Sequence, residues 1–205
     1  MSATIDLEGP KARQILDGAK DAFLEMGYEG ASTDAIARRA GVSKGTLYNY
    51  FPDKRTLFAA FVEDQCREQA RLIFNVDAAP QNIDEALQAI AYNYIELMIS
   101  PFMQGIFRVV VAEAERFPEL ARAFYDSGPD IGHRRLSQLL AAAVARGELV
   151  IDDIDLAANQ FIQLGRSDLF FKRLFCIKKN FSKAEIERAA NGAVEMFLKT
   201  YAAGS

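Results

Sequence analysis

The chain has 205 residues, half of them apolar and a quarter charged, which suits one large or two modest globular domains with a real core. Its formal net charge of −4 argues on its own against a polyanionic partner, and its single histidine excludes a multi-histidine metal centre. Two distant cysteines, Cys66 and Cys176, make neither a disulfide framework nor a CxxC site and are expected to be small buried thiols.

In chain order, Ile5-Asp6-Leu7-Glu8-Gly9-Pro10 carries acids and a proline where a secretory leader would carry a basic region and an apolar run. No later apolar stretch reaches membrane-spanning length before a charge breaks it, so a cytoplasmic protein with no membrane partner is expected. Ile15, Ala19, Ala22, Phe23 and Met26 return at helical steps, a stripe that Gly27 stops. Ser32 or Thr33 caps a short helix through Ala35, Ile36, Ala37 and Ala40, ended by Gly41. Ser43 caps a third, very short helix around Thr46-Leu47-Tyr48. After the Phe51-Pro52-Asp53 break, Asp53 can cap a long fourth helix with Leu57, Phe58, Phe61 and Val62, running to about Phe74. Ala78-Ala79-Pro80-Gln81 reads as a linker. Helices follow from about Asp84 to Ile99, through Phe107 and Val111 to Arg116, after Pro118, and through Leu136, Leu139, Leu140 and Val144 to a stop at Gly147. The last two span about 155–177 and 183–202. Leu149-Val150-Ile151 is too short to count as a strand, and the chain is predicted to be all-α.

The stretch Ser32-Thr33-Asp34-Ala35-Ile36-Ala37-Arg38-Arg39-Ala40-Gly41-Val42-Ser43-Lys44-Gly45-Thr46-Leu47-Tyr48-Asn49-Tyr50-Phe51 carries the function. It reads as two short helices joined by a tight turn in which Gly41 takes a left-handed position. Val42 points inward to lock them, and Ala37 and Ala40 permit a close crossing. The second helix, about seven residues or ~10 Å long, is short enough to lie in a major groove. Charge agrees. From Arg38 to Arg55 five basic residues (Arg38, Arg39, Lys44, Lys54, Arg55) stand against one acid, Asp53, in an otherwise acidic chain.

Residues 11–62 resemble the DNA-binding domain of the tetracycline-repressor (TetR) family. The resemblance rests on Phe23-Leu24-Glu25-Met26-Gly27-Tyr28-Glu29-Gly30, on Thr33, Ile36 and Ala37, on Gly41-Val42-Ser43, on Gly45-Thr46-Leu47-Tyr48-x-Tyr50-Phe51, and on Lys54 and Leu57. The rest of the chain is similar in helical layout, with Ala145-Arg146-Gly147-Glu148-Leu149 and Asp152/Asp155 as local likenesses. The resemblance implies a three-helix DNA-binding domain over 1–54 containing a helix-turn-helix. A long helix joins it to a helical ligand-binding and dimerisation domain over 55–205.

It also implies roles that the chemistry suits. Thr33 would bond a phosphate, or serve only as a cap. Lys44 and Gly45 open the reading helix, Lys44 reaching a guanine or a phosphate and Gly45 allowing close approach to bases. Thr46 suits a phosphate or a thymine methyl. Tyr48 and Tyr50 would reach the backbone, or pack under the fourth helix. Lys54, on the first turn of that helix, would bond a phosphate. Asn49 can read adenine or face solvent. Asp34 is an acid where some relatives read bases with a basic side chain, which leaves base preference on that side open.

Beyond the DNA-binding segment, Tyr92, Met98, Phe102, Met103, Phe107 and Phe124, with Phe161 and Arg166 of the penultimate helix, suit a pocket for a small apolar or aromatic effector. The same residues would fill an ordinary core. Arg166 and Asp168 can bind ligand or pair with each other. The last two helices are apolar over more than one face. The resemblance implies that they pair with their copies in a homodimer, through Phe161, Leu169, Ile186, Ala190, Ala193, Phe197 and Tyr201. Two reading helices one DNA turn apart would then meet a palindromic double-stranded operator, with the effector releasing it. No nucleophile motif or paired-acid constellation points to an enzyme, and no cofactor or metal is expected. The other reading is a helical small-molecule-binding or interaction protein that no longer binds DNA.

Overall fold

Helix follows helix because apolar residues return at helical steps and a polar cap, proline or glycine stops each run. The computed structural model describes residues 9–74 and 82–204, without the Ser167 side chain; the predicted linker Ala78-Ala79-Pro80-Gln81 lies outside them. Among the described residues the elements are α1 (Pro10–Gly30), α2 (Thr33–Arg39), α3 (Lys44–Tyr50), α4 (Lys54–Ile73) and α5 (Ile83–Ile99). They continue with α6 (Pro101–Glu113), α7 (Pro118–Ser127), α8 (Pro129–Ala145), α9 (Ile154–Leu174) and α10 (Lys183–Tyr201). The fold is all-α; Leu149 makes one isolated bridge, to Ala202. No single helix among the described residues is long and apolar enough to cross a membrane.

The chain divides into two compact units. One takes the chain through Arg67 and adds Gly105–Ser127; the other comprises Glu68–Gln104 and the chain from Gly128 onward. Helix α4 is one helix whose first half belongs to the core of the first unit. There Leu57, Phe58, Phe61 and Val62 are buried. Phe23 meets Phe58 edge-on at 4.9 Å between ring centroids and Phe61 at 5.3 Å.

Within this unit α1 buries Ala12, Ile15, Leu16, Ala19, Ala22 and Phe23. Gly27 breaks the helical path as predicted (φ 70°, ψ 174°), and one further turn runs to Gly30. Gly18 sits at the crossing with α2, where a Cβ would come within 2.5 Å of the Ala40 amide nitrogen. No side chain fits there.

In the second unit α5, α8, α9 and α10 share one core that includes Leu87, Ile95, Leu136, Leu140, Phe161 and Phe197. Pro101 brings no N–H to the end of α5, and two side chains take over its last carbonyls. Gln104 Nε2 donates to Met98 O at 2.7 Å, and Arg173 Nε to Ile99 O at 3.0 Å. Helix α9 stops at Leu174, before the predicted 177, where Cys176 turns left-handed at φ 58°. Cys66 is buried but Cys176 is exposed, so only one thiol matches the expectation. The tail that α9 does not reach is surface.

The residues predicted for the dimer contact pack mostly inside the protomer. Phe161, Leu169, Ile186, Ala190, Ala193 and Phe197 are all buried within the protomer. Phe161 meets Phe197 edge-on at 5.1 Å, and half-buried Tyr201 leans on Phe197 at 4.8 Å while its hydroxyl donates to Gln160 Oε1 at 2.7 Å. Helical spacing locates apolar stripes but does not say which stripe faces the protomer's own core. Leu156, Phe171, Phe175, Ile177 and Met196 of the same region remain on the surface.

Candidate nucleic-acid interface

Short polar helices need bracing, and each cap predicted between residues 32 and 53 is present. Ser32 accepts from the Ala35 amide at 3.1 Å, Ser43 from Thr46 at 3.0 Å, and Asp53 from Thr56 at 2.8 Å. Such caps are each worth about 1 kcal/mol. Between the helices Gly41 takes φ 62°, which only glycine adopts without strain, and the Val42 amide turns back to Ala37 O at 3.0 Å. Ile36, Ala37, Ala40, Leu47 and Phe51 are buried beneath, whereas Val42 is only half-buried. From α1, Gln14 Nε2 donates to Ala40 O at 2.6 Å and fixes the turn from outside. Sequence reasoning missed Gln14 and Gly18. The signal for Gly18 was a glycine on the buried stripe of a helix.

The predicted contact residues surround this brace. Lys44, Gly45, Tyr48 and Asn49 are exposed, and Thr33, Thr46, Tyr50 and Lys54 are half-buried. Thr33 Oγ1 and Tyr48 OH lie 3.1 Å apart and Lys44 Nζ lies 2.7 Å from Asp34 Oδ1, so two polar contacts join the start of α2 to α3. The hydrogen bond to the Asp34 carboxylate, with its charge, holds the Lys44 ammonium above its ordinary pKa. Thr46 Oγ1 lies 2.8 Å from Ser43 Oγ. Lys54 stands apart from this group: its ammonium lies 4.5 Å from the centroid of the Tyr28 ring and donates to Glu29 O at 3.3 Å. Asn49 and Tyr50 join none of these contacts.

The effector candidates are less unified. Phe107 and Phe124 belong to the first unit, where they meet edge-on at 6.3 Å; Tyr92, Met98, Phe102, Met103, Phe161 and Arg166 belong to the second. Met98, Met103 and Phe161 are buried. Arg166 and Asp168 do not pair with each other: Arg166 Nε donates to Tyr94 OH at 3.3 Å, while Asp168 pairs with Lys172 one helical turn on. Burial pushes the Tyr94 phenol above its ordinary pKa, against the opposing pull of Arg166. Gln104 is fully buried, and its Oε1 has no hydrogen-bond partner among the described residues.

A braced helix-turn-helix with a polar, partly cationic outer face, carried by an all-helical chain, defines the class of DNA-binding transcription regulators. Comparison makes the class specific. Residues 15–61 match the domain described as "Bacterial regulatory proteins, tetR family", and residues 85–203 match "AefR-like transcriptional repressor, C-terminal domain". A TetR-family regulator from Mesorhizobium loti MAFF303099 superposes with a TM-score of 0.86 at 31% identity, over 94% of this chain and 96% of that one. The flavonoid-responsive regulator FrrA gives 0.73 at 36% identity, over 95% and 98%. The regulator BetI of Escherichia coli K12 is 34% identical over 121 residues, 58% of this chain and 62% of BetI, so the match spans less than two thirds of that relative. The chain belongs to the TetR family of transcriptional regulators, which are DNA-binding regulators and not enzymes.

Proposed function

We propose that this protein represses transcription by binding a palindromic double-stranded operator as a homodimer, and that a small effector releases it. The observation that carries the reading is the α2–α3 face: Thr33, Lys44, Tyr48 and Asn49 stand at the surface over a fully buried Leu47. Thr33, Tyr48, Tyr50 and Lys54 supply phosphate partners, and Lys44, Gly45, Thr46 and Asn49 meet base edges. The repressor assignment is supported by the description of the matched C-terminal domain.

For pairing, the surface side chains Phe171, Phe175 and Ile177, between 51% and 73% exposed, together with Leu156 and Met196, replace the residues predicted from sequence. The effector is a small aromatic molecule carrying hydroxyl groups. Support comes from the unpartnered Gln104 Oε1, a buried acceptor that costs free energy until a donor reaches it, and from the name of the 36% identical flavonoid-responsive relative. Cytoplasmic location accords with this role.

Selection from a random duplex library, with sedimentation of the selected complex, tests the proposal. The expected result is an inverted repeat whose half-sites lie about one or two helical turns apart, bound by an even number of subunits. Only non-specific binding, abolished by moderate salt, would overturn it.

A further inference from the structure

Two exposed side chains of opposite charge face one another across the helix-turn-helix. Lys44 Nζ lies 2.7 Å from Asp34 Oδ1, with 55% and 60% of the two side chains exposed. Lys44 opens α3 and Asp34 lies in the first turn of α2. One turn further along α3, the Tyr48 hydroxyl meets Thr33 and fixes the same two helices a second time. Beside Lys44, a Cβ on Gly45 would meet nothing nearer than Ser43 Oγ at 3.8 Å, so the backbone there is open to close approach.

A carboxylate on a face that meets a polyanion requires a reason. Phosphates offer it only repulsion. In the major groove the only donors it can find are the cytosine N4 and adenine N6 amino groups, while an ammonium seeks guanine O6 and N7, thymine O4 or adenine N7. In a G·C pair, guanine O6 and cytosine N4 are themselves hydrogen-bonded, about 2.9 Å apart. The Nζ–Oδ1 spacing of 2.7 Å matches that separation.

Resting on the DNA-binding reading above, we propose that Asp34 and Lys44 act as one unit that reads a G·C base pair, the ammonium donating to guanine O6 and N7 and the carboxylate accepting from cytosine N4. The unit is directional: reversing the pair to C·G sets the ammonium against N4 and the carboxylate against O6. In a T·A pair the inner contacts to O4 and N6 survive, but adenine N7 then lies beside the carboxylate and the thymine methyl crowds the ammonium. G·C is preferred over all three alternatives.

Selection from random duplexes with the full chain, followed by titration of single-position variants of the selected site, tests this. Both side chains are exposed, so Asp34→Ala and Lys44→Ala leave the helical circular dichroism and melting unchanged. The wild type is expected to select one G·C pair per half-site in fixed orientation. Each variant relaxes that same position by about 5- to 100-fold, the discrimination of a good bidentate contact, and the double variant relaxes it no further. Asp34→Ala frees Lys44 for phosphate, raising affinity for random duplex and steepening the log–log salt slope by about 0.9. An Asp34→Ala variant that keeps the full G·C preference would overturn the inference, as would relaxation by the two variants at different positions. A wild type that selects no inverted repeat would instead remove the DNA-binding reading itself.

Discussion

Replacing Gly18 by alanine tests the packing on which the interface stands. In an open helix this exchange stabilises by up to about 1 kcal/mol, because glycine is the costlier residue to order. At Gly18 the sign reverses. The new Cβ would lie 2.5 Å from Ala40 N and 2.7 Å from Ala40 Cα and Cβ, and two of those three atoms are backbone and cannot rotate away. Relief to an ordinary separation of 3.4 Å requires α1 and α2 to part by about 0.9 Å. That movement pulls on the Gln14–Ala40 hydrogen bond and on the turn at Gly41. Overpacking of this kind costs about 1–3 kcal/mol, so after a propensity gain of about 1 kcal/mol the net loss is up to about 2 kcal/mol. For a chain of this size that corresponds to a fall in Tm of up to roughly 8 °C. Gly105→Ala is the control, because its Cβ would meet nothing within 4 Å and it should leave Tm unchanged or raise it. Calorimetry of both variants, with operator affinity by fluorescence anisotropy, reads the result. A Gly18→Ala protein at least as stable as the parent would refute the argument from close helix contact.

Three further outcomes are expected. Lys54→Ala should weaken binding to all duplexes alike and reduce the salt slope by about 1; an unchanged slope would confine Lys54 to bracing Tyr28 and Glu29. Phe175→Asp should give a folded monomer by sedimentation with weak operator binding, whereas Phe197→Ala, at 1% exposure, should cost about 3–5 kcal/mol in denaturant melts; a Phe175→Asp protein that stays dimeric and binds fully would move the interface elsewhere. Burial pushes the Cys66 thiol up to about 12, so a thiol reagent near pH 8 should titrate only Cys176 in the native protein and both cysteines in denaturant; rapid native reaction of two thiols would show that the Cys66 environment opens readily.

The helix-turn-helix was legible because its signals are local. Ser43, Gly41, Asp53 and the apolar Leu47 each determine backbone within a few residues, and each does in the structure what its chemistry requires. The α5–α6 break at Pro101 was legible for the same reason, although its capping by Arg173, 74 residues from Ile99, was not. What the sequence concealed was direction. Phe161 and Phe171 lie in one helix at spacings that suit a common stripe, yet one faces the core and the other faces outward, because neighbours distant in sequence choose between them. For the effector candidates, aromatic composition did not reveal that Phe107 and Phe124 belong to one compact unit and Phe161 to the other. The Asp34–Lys44 pair was hidden because a ten-residue separation across a turn fixes no distance.

The self-contained core formed by α5, α8, α9 and α10 has a bearing on assembly. With Phe161 and Phe197 sealed inside the chain, the pairing proposed above would draw on other surfaces, as an equilibrium set by how much protein the cell holds. On that reading, newly made chains would persist singly at low abundance and couple only as their numbers rose. Control over a target gene would in that case sharpen with expression level, before any small molecule intervenes.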